Sequence, residues 1–509
     1  RTSVEKVLVA NRGEIAIRII RALKDLGIQS VAVYSEVDRL SRHVRYADEA
    51  YLLGPAPASQ SYLNIEKIIN TALSAGADAV HPGYGFLSEN ANFSEKCAAA
   101  DLTFIGPSAN AMKLLGDKAK ARELARDVDI PIIPGTVDFS DVKEAFSLAE
   151  QLTYPLAVKA SFGGGGRGIR FVPAKADLEA AVLIAQKEAL TAFGNGTLYL
   201  ESQLQNVKHI EIQIIADHFG NIVSLGEREC SIQRRNQKLI EECPSSAISP
   251  GLRRTLSRAA VRLARAANYT NVGTVEFLLT PEKDFYFLEM NTRLQVEHPV
   301  TEFTMGIDLV KDQITVSANE ELSYDEGDLL GRGWAIECRV VSEDPFKGFR
   351  PSVGRVVFSR EPAGPGIRVE SALYDGIEIT PFYDSLLAKV TAWGPDRESA
   401  RLRMQRALQE FRVVGVATNI PYLQQIFDNP DFILGNVDTQ FLDSHDLRPV
   451  ESEIDAHKII GIAAVLMKME KPNSEMREQG VLRQPQLNKW RAAQGEYGNK
   501  AMGRWIRNI

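Results

Sequence analysis

The stretch LAVKASFGGGGRGIRFV, residues 156–172, decides the fold class, because it sets a run of glycines between two strand-like segments. Leu156–Ala160 and Ile169–Val172 are the two flanks, and the glycines run from Gly163 to Gly168 with one arginine among them. Phosphate loops of the P-loop and dinucleotide-binding kinds open into a helix, so neither fits a loop that leads into a strand. The stretch therefore predicts a β-hairpin whose tip offers backbone N–H groups to phosphate.

Lys159 gives the glycine hairpin a second feature of a phosphate site. It lies at the end of the incoming strand, where its ammonium could meet the same phosphates as the glycine N–H groups. A flexible surface turn is the ordinary interpretation of a glycine run by itself. The lysine beside the run favours a mobile lid that closes over the phosphates of a nucleotide.

Strands and helices alternate over about the first 110 residues. The expected elements are a strand at Val7–Ala10, a helix at Ile15–Leu26 ended by Gly27, a strand at Ser30–Tyr34, a helix at Ile65–Ser74 and a strand ending at Ala79–His81. This order predicts a parallel sheet. The first turn, residues 11–14, reads NRGE and lacks the glycine pattern of a dinucleotide site, so a nucleotide is expected elsewhere.

Length and composition predict a globular α/β protein of several domains. The chain has 509 residues, of which 44% are hydrophobic and 25% charged. We expect an N-terminal domain at residues 1–112, a helical linker at 113–133, whose helical part covers roughly Ala111–Val128, and a glycine-loop lid domain at 134–204. A larger mixed α/β domain at 205–445 and a tail at 446–509 complete the division.

Charge, hydropathy and cysteine spacing argue against several functional classes. A net charge of −7 offers no global basic field for nucleic acid. No run approaches the roughly 18 apolar residues that cross a bilayer, and no signal peptide is expected at the start of the chain. The four cysteines show no metal-binding spacing and are expected to be reduced. We expect a cytoplasmic protein, with the mitochondrial matrix after transit-peptide removal as the alternative.

The segment from Gly273 to Asn291 reads as two strands joined by a turn. If Pro281 faces Asp284 across that turn, Glu276 faces Glu289. Directly opposed side chains lie about 5 Å apart, and like charges there are destabilising. A divalent cation removes the conflict, and Mg²⁺ prefers carboxylate oxygens. The pattern therefore favours a metal site, although an exposed pair of acids or a bulge that shifts the register remains open.

Polar residues alternate with apolar ones directly after this hairpin. The polar set is Glu289, Asn291, Arg293, Gln295 and Glu297. If the segment stays extended, a period of two puts all five on one face. Such a face is suited to hold a metal, a planar oxyanion such as bicarbonate, and a base beside it. An earlier strand, residues 209–213, shows the same alternation, and there a half-buried strand is the simpler interpretation.

Long motifs in the chain resemble the biotin carboxylases. They are KASF at 159–162 with the glycine loop, CSIQRR at 230–235, EMNTRLQVEHPVTE at 289–302 and HPGYGFLSEN at 81–90. The resemblance covers about residues 4–445. It implies an ATP-grasp fold, with an N-terminal Rossmann-like parallel-sheet domain, a mobile glycine-loop lid and a larger mixed α/β C-terminal domain.

The resemblance also implies a role for particular residues. Those expected to surround ATP are Lys118, Lys159, Gly164, Gly165, Gly166, Glu201, Leu204, His209, Gln233 and Asn236, with Glu276 and Glu289. Those expected to hold Mg²⁺ or Mn²⁺ are Glu276, Glu289 and Asn291. The bicarbonate pocket is implied at Lys238, Arg293, Gln295, Val296 and Arg339. Glu297 is implied as the general base, and Arg339 and Tyr84 as contacts of biotin, where Arg339 stabilises its enolate.

Asn236 departs from the family pattern, because many members carry histidine near the nucleotide at this position. Asparagine can still donate a hydrogen bond but cannot become cationic. This puts in doubt only that one contact with the nucleotide.

The implied activity is ATP-dependent carboxylation of biotin with bicarbonate, through carboxyphosphate, on a separate carrier protein. The implied partners are a biotin carboxyl carrier protein, a carboxyltransferase subunit, and a second copy of the chain in a homodimer. Two alternatives stay open. Another ATP-grasp ligase would share the ATP and metal residues, and a scaffold protein without activity would share the fold. The stripe 293–297 and Arg339 favour the carboxylase.

The tail after residue 445 changes character. Ala456–Glu470 reads as an amphipathic helix, and residues 480–509 carry six lysines and arginines against one acid, together with Trp490 and Trp505. Met467-Lys468-Met469 mimics the centre of a biotin attachment site, but no glycine-punctuated strand pattern surrounds it, so the match is interpreted as coincidence. We expect the tail to dock a partner protein of the carboxylase complex, and a helix on its own domain with a frayed end is the alternative.

Overall fold

The computed structural model describes residues 4–161, 169–325 and 327–447 of the chain. Over these residues it confirms the α/β class, with a five-stranded parallel sheet, antiparallel sheets of three and eight strands, and three antiparallel pairs of short strands. The glycine tip at 162–168, the predicted helix Ala456–Glu470 and the basic end of the tail lie outside the described residues. No described helix combines the length and apolar character needed to cross a membrane.

The first sheet is parallel throughout. Its region contains, in chain order, β1 (Lys6–Val9), α1 (Gly13–Leu26), β2 (Gln29–Ser35), α2 (Arg42–Tyr46), β3 (Glu49–Gly54), α3 (Ile65–Ser74), β4 (Ala79–His81), α4 (Ala91–Ala99) and β5 (Thr103–Phe104). The strand order is β3-β2-β1-β4-β5. Helix α1 ends at Gly27, whose φ of 74° is the left-handed conformation that glycine adopts readily. The predicted parallel sheet is confirmed.

Two helices lie in the segment predicted as a helical linker after this sheet. They are α5 (Ala109–Gly116) and α6 (Lys118–Asp127). Asp117 separates them, and its carboxylate accepts hydrogen bonds from the backbone N–H groups of Ala119 and Lys120. An aspartate in this position caps a helix start, and the glycine before it is a poor interior helix residue. The segment predicted as a helical linker, roughly Ala111–Val128, thus consists of two helices.

The glycine hairpin belongs to a small three-stranded sheet. The elements are α7 (Val142–Ala149), β6 (Leu156–Ala160), β7 (Ile169–Val172), α8 (Leu178–Phe193) and β8 (Leu198–Ser202), with strand order β7-β6-β8. Strands β6 and β7 pair antiparallel, with Lys159 opposite Ile169. Both predicted flanks are thus strands with the predicted bounds, and the lysine lies at the end that leads into the glycines.

The remaining elements build the large sheet and its coverings. They are, in chain order, β9 (Lys208–Ala216), β10 (Ile222–Arg234), β11 (Gln237–Cys243), α9 (Pro250–Ala266), β12 (Asn271–Leu279), β13 (Phe285–Asn291), α10 (His298–Met305), α11 (Leu309–Ser317), β14 (Trp334–Val341), β15 (Glu343–Asp344), β16 (Arg350–Pro351), β17 (Gly354–Arg355), β18 (Phe358–Arg360), β19 (Ile367–Ser371), β20 (Glu378–Ile379), β21 (Leu386–Gly394), α12 (Arg397–Glu410), β22 (Arg412–Val414), α13 (Ile420–Asp428), α14 (Pro430–Leu434) and α15 (Phe441–Ser444).

The large sheet has the order β13-β12-β9-β10-β11-β14-β21-β19, and its neighbouring strands are antiparallel. The isoleucines of β9 pack against Leu256 and Leu263 of α9. The polar residues on the other side of β9, His209, Glu211 and Gln213, are buried as well. The half-buried interpretation of β9 is therefore wrong, and the polar side of the strand lies inside the protein.

The β12–β13 hairpin pairs Glu276 with Glu289 as predicted, but its turn and its register differ from those assumed. Thr280, not Pro281, faces Asp284 across the turn, and Lys283 takes a φ of 73°. The register then shifts by one residue between Glu276 and Phe277. The bulge offsets the one-residue difference in the turn, and the two acids end up opposite each other.

Candidate active site

Buried and half-buried charged groups gather on the inner side of the large sheet, where the hairpin β12–β13 and the segment 292–297 meet strands β9, β11 and β14. The side chains of this charged cluster are Glu211, Arg228, Lys238, Glu241, Glu276, Glu297 and Arg339. Charged groups are stable in such a place only when they are paired. The pairing pattern therefore indicates what each group can do.

Lys238 is at the centre of the charged cluster. Its Nζ donates to Glu276 Oε1 at 2.7 Å and to Glu297 Oε1 at 2.8 Å, and it also pairs with Glu211. Burial acts to lower the pKa of this lysine, but the three carboxylates raise it well above its ordinary value. Lys238 is therefore a permanent cation and suits an anionic ligand.

Glu297 lies between two cations and is fully buried. Arg339 Nη2 donates to its Oε2 at 2.8 Å, while Lys238 holds the other oxygen. Burial acts to raise the pKa of Glu297, but Lys238, Arg339 and Arg228 together hold it well below its ordinary value. The carboxylate is consequently ionised at neutral pH and has the proton-accepting form that a general base needs.

Arg228 is the fully buried arginine of the charged cluster. Its Nη1 donates to Gln213 Oε1 at 2.6 Å and to Thr301 Oγ1 at 2.9 Å, and its Nε pairs with Glu211. Its Nη2 donates to Thr274 Oγ1 at 3.2 Å. The arginine thus connects β9, β10 and β12 to helix α10. Sequence reasoning did not identify it, because its partners are distant in the chain.

The segment after β13 does not continue as a strand, so the extended stripe predicted for 289–297 is wrong beyond Asn291. The polar side chains nevertheless converge. Arg293 Nη1 donates to Gln295 Oε1 at 3.0 Å, and Gln295 Nε2 donates to Glu276 Oε1 at 3.3 Å. Val296 and Glu297 form the turn that precedes helix α10.

Glu89 holds the start of this segment and was quoted in a motif without being assigned a role. Its Oε1 accepts from the backbone N–H of Thr292 at 3.0 Å, and its Oε2 accepts from Arg293 Nε at 3.0 Å. Glu89 comes from the first domain, just before α4. This contact replaces the ladder hydrogen bonds that an extended strand would have made.

The predicted metal ligands lie together at the end of the hairpin. Asn291 Nδ2 donates to Glu276 Oε1 at 2.9 Å, and His209 Nε2 lies 3.2 Å from Glu276 Oε2. Burial and the negative charge of Glu276 raise the pKa of Glu289. Lys238 and His209 more than offset burial and hold the pKa of Glu276 well below its ordinary value. This crowding of acids is what a divalent cation relieves.

A second grouping overlaps these ligands. Ligand atoms of His209, Glu211 and Glu276 lie within 4.8 Å of one another, and all three residues are buried. Lys238 is hydrogen bonded to Glu276 and paired with Glu211, so an ammonium already neutralises this group. The grouping therefore belongs to the same charged cluster.

Residues expected at the nucleotide come from the lid and the linker. Glu201 is buried at the end of β8, where its two oxygens pair with Lys159 of the lid and with Arg122 of α6. Lys118 begins α6, and its Nζ lies 3.9 Å from Glu289 Oε2. Leu204 follows β8 in the chain. Gly164, Gly165 and Gly166 lie outside the described residues.

Gln233 and Asn236 are at the hairpin that joins β10 to β11. Gln233 lies directly opposite Lys238 in the strand pair. Arg235 and Asn236 form the turn, with φ values of 49° and 63°, and Asn236 is exposed. Asparagine adopts this left-handed conformation more readily than most residues. The backbone of the turn is therefore a local reason for an asparagine at position 236.

The residues expected at biotin come from strand β14 and from the loop that follows β4. Arg339 Nε donates to Glu241 Oε1 at 2.6 Å. Burial acts to lower the pKa of Arg339, but Glu241 and Glu297 raise it further above neutral. Tyr84 donates its hydroxyl to Glu14 and has Lys389 Nζ 5.7 Å from its ring centre. Lys389 lies directly opposite Arg339 in the strand pair.

Family models match the chain in three consecutive parts. The N-terminal domain model of biotin carboxylase matches residues 3–112. The ATP-binding domain model of the carbamoyl-phosphate synthase L chain matches residues 117–325. The C-terminal domain model of biotin carboxylase matches residues 337–444.

Individual relatives agree with the family models. Biotin carboxylase 1 of Bacillus subtilis is 48% identical over 446 residues, which are 87% of this chain and 99% of the relative. The biotin carboxylase of Nostoc is 49% identical over 439 residues, which are 86% of this chain and 98% of the relative. The biotin carboxylase–βγ-ATP complex of Campylobacter jejuni is 44% identical, with a TM-score of 0.85 over 87% of this chain and 99% of its own.

A second solved structure carries the ligands that the cluster suggests. The biotin carboxylase domain dimer of 2-oxoglutarate carboxylase from Hydrogenobacter thermophilus, in complex with MgADP, ADP and bicarbonate, is 48% identical. Its TM-score is 0.84 over 87% of this chain and 98% of its own.

Proposed function

The chain belongs to the biotin carboxylase family, and from that premise we propose how its residues perform the reaction. It is a ligase that uses ATP and bicarbonate to carboxylate biotin on a carrier protein, through carboxyphosphate. The observation that carries the proposed mechanism is the buried carboxylate of Glu297 between Lys238 and Arg339. The other ATP-grasp ligases considered from the sequence are set aside, because both flanking domain models are those of biotin carboxylase.

Glu297 is the proposed base that takes the proton of bicarbonate. A carboxylate with a very low pKa is a weak proton acceptor, so the pKa of Glu297 has to rise before it can take the proton. The negative charge of a bicarbonate ion bound by Lys238 and Arg293 offsets part of the positive charge that lowers the pKa of Glu297. The pKa of Glu297 then rises as the substrate binds, and its affinity for a proton increases at the step that needs it.

Lys118, Lys159, Glu201, Leu204 and His209 are proposed to surround ATP, together with the glycine tip, Gln233 and Asn236. The position of Lys159 at the end of β6 supports this, because β6 leads directly into the glycines. In the free protein Lys159 is paired with Glu201. Phosphate oxygens compete with this carboxylate for the lysine, so nucleotide binding is expected to rearrange the pair.

Glu276, Glu289 and Asn291 are proposed to hold Mg²⁺. The fit rests on two carboxylates that face each other across the β12–β13 pair, and on the raised pKa of Glu289 that results. Oxygen ligands of this kind suit a hard divalent cation. When bound, the cation supplies positive charge that neutralises the phosphoryl group during transfer.

In the proposed reaction the deprotonated bicarbonate oxygen attacks the γ-phosphorus of ATP, and ADP leaves. Carboxyphosphate then breaks down to CO₂ and phosphate, and the phosphate takes the ureido N–H proton of biotin. Arg339 stabilises the negative oxygen of the resulting enolate, and its raised pKa keeps it cationic throughout. Tyr84 offers its ring to biotin, because its hydroxyl is already bonded to Glu14. Closure of the lid shields carboxyphosphate from water.

The proposed partners are a biotin carboxyl carrier protein, a carboxyltransferase subunit, and a second copy of this chain. Relatives are named as subunits of pyruvate carboxylase and of 2-oxoglutarate carboxylase, and one solved relative is a domain dimer. These two relatives are named for different carboxylated substrates, pyruvate and 2-oxoglutarate, yet both are 48% identical to this chain. The acceptor is therefore proposed to be selected by the carboxyltransferase partner.

We place the protein in the cytoplasm as a proposal. The named plant relatives are chloroplastic, so the family also works inside organelles. The mitochondrial matrix stays an alternative to be separated by localisation of a tagged full-length protein.

The activity has a direct test. Purified chain with Mg²⁺ and ATP is expected to release phosphate in a bicarbonate-dependent reaction that free biotin or a biotinylated carrier stimulates. The measurement is phosphate release with each of the three substrates omitted in turn. The Glu297→Gln variant, purified in the same way, measures the phosphate release that is due to contaminating ATPases. Absence of biotin stimulation with every carrier tried would reject the function.

Asn236→His is expected to change the KM for ATP modestly and to leave the KM for bicarbonate unchanged. Histidine adds a cationic form next to the nucleotide, and it tolerates the left-handed backbone of this turn better than most residues. Steady-state kinetics with each substrate varied would measure both constants. Gln237→His, at the neighbouring exposed position, is the control. A large change in the KM for bicarbonate alone would show that Asn236 lies at the other substrate.

A further inference from the structure

Three neighbouring strands place charged residues in a row on one buried face. Lys389 of β21 lies directly opposite Arg339 of β14 and directly opposite Glu370 of β19. Directly opposed side chains lie on the same face of a sheet. The residues that follow Arg339 and Lys389 in their strands, Val340 and Val390, point to the other face and pack into the hydrophobic core there. Lys389 therefore belongs to the same side of the sheet as the proposed biotin contact.

The ammonium of Lys389 is fully buried and has three close neighbours. Its Nζ donates to the carbonyl oxygen of Val296 at 2.7 Å, and lies 3.0 Å from Glu370 Oε2 and 3.5 Å from Glu14 Oε1. Burial acts to lower the pKa of the lysine, but Glu14, Glu370 and Glu337 raise it. Lys389 thus stays charged in a place where a charge is costly unless it is paired.

The carbonyl that Lys389 holds belongs to the peptide that joins Val296 to Glu297. The segment 292–297 lies outside any strand, so its carbonyls need other donors. Arg293 Nη1 donates to the carbonyl of Leu294 at 3.1 Å, and His298 Nδ1 lies 2.8 Å from the carbonyl of Gln295. These two donors come from the segment itself or the residue after it. Lys389 is 93 residues away and ties the segment to the large sheet.

The peptide plane between residues 296 and 297 sets where the Cα of Glu297 lies, and therefore where its carboxylate can reach. Lys238 and Arg339 also hold that carboxylate, but in the proposed mechanism both are shared with substrates. The bond from Lys389 involves no substrate contact, since its acceptor is backbone. It therefore persists when the other two cations turn to bicarbonate and biotin.

We propose that Lys389 is a positioning residue for the base, holding Glu297 in place through the carbonyl of Val296. This rests on the proposed role of Glu297. A base displaced by about 1 Å can lose about 10²-fold in rate, so Lys389→Met is expected to lower kcat by that order. The KM for ATP should stay within about twofold, because the nucleotide residues are untouched. Lys389→Arg keeps a cation and a donor and should recover part of kcat.

A double-mutant cycle separates positioning from a general structural role. Lys389→Met is made in the wild-type chain and in the Glu297→Gln chain, and kcat is measured for all four proteins. If Lys389 acts through the base, the second substitution has almost no further effect once the base is gone. An equal fall of kcat in both backgrounds would overturn the proposal. If Glu297→Gln alone keeps near-normal turnover, the base assignment has failed instead.

Two further variants control for an effect of the substitution on folding. Lys389→Met removes one of three cations around buried Glu370, and Arg368 and Arg18 stay as its partners. Lys389→Met with Glu370→Gln is the variant to use in the cycle if the single variant does not fold. Arg401→Met is the matched control, because Arg401 is a buried cation on α12 that donates to the carbonyl of Phe427 at 2.9 Å. Loss of thermal stability without loss of kcat is expected for that control. If Arg401→Met lowered kcat as much as Lys389→Met does, the effect would be general destabilisation, and the proposal would fall.

Discussion

Glu297→Gln is expected to lower the kcat of bicarbonate-dependent ATP cleavage by about 10²–10⁴-fold, the usual contribution of a general base. Glutamine keeps the shape of the side chain, but its single amide oxygen can accept from only one of Lys238 and Arg339, and it cannot accept the proton of bicarbonate. The KM for ATP should change little, since Glu297 bonds to neither Lys118 nor Lys159. Steady-state phosphate release with ATP and bicarbonate varied separately would measure both.

Glu229→Gln is the matched control for this loss. Glu229 is another buried glutamate paired with a lysine, Lys208 at 2.8 Å, but it does not belong to the charged cluster. It should retain most of kcat and lose only stability. Near-normal turnover in Glu297→Gln would show that another group takes the proton.

Arg228→Met is expected to reduce the free energy of unfolding by about 3–5 kcal/mol, the range for breaking a buried ion pair from one side. Methionine fills part of the volume but leaves Glu211 without its guanidinium and Gln213, Thr274 and Thr301 without a donor. Denaturant-induced unfolding followed by circular dichroism would give the change.

The double variant Arg228→Met with Glu211→Gln tests the cause. Lys238 still pairs with Glu211 in the single variant. Neutralising Glu211 should recover part of the lost stability, because the oxygen that faced the guanidinium no longer lacks a cation. Arg254→Met, at an exposed position of α9, is the control and should stay within about 0.5 kcal/mol of wild type. A cost for Arg228→Met no larger than that of the control would contradict the buried network.

The parts of the site that were predictable from sequence are those encoded by local pattern. The glycines between two strand-like runs identified the lid hairpin, because β-strand propensity and glycine runs act over a few neighbouring residues. The pairing of Glu276 with Glu289 was also predicted, but the assumed turn was wrong. A one-residue bulge offset the difference, so that agreement owed something to chance.

The parts that were missed depend on contacts between distant residues. Arg228 stands between Glu227 and Glu229 in β10, and Lys389 is the one charged residue of β21, so neither strand has a pattern that places its cation on a buried face. Here the charged face is covered by α10 and the segment 292–297, which no local pattern reveals. The end of β13 at Asn291 was missed for the same reason, because Glu89, 203 residues away, takes over the hydrogen bond that an extended strand would have made.

The cations of the charged cluster are already neutralised by carboxylates of their own chain. An arriving anion therefore exchanges with an internal carboxylate and does not fill a vacant positive site. In the proposed mechanism this exchange is expected to favour a planar ligand with several oxygens and a proton to lose over a spherical ion such as chloride. The crowded acids are thus expected to help the proposed site distinguish bicarbonate from simple anions.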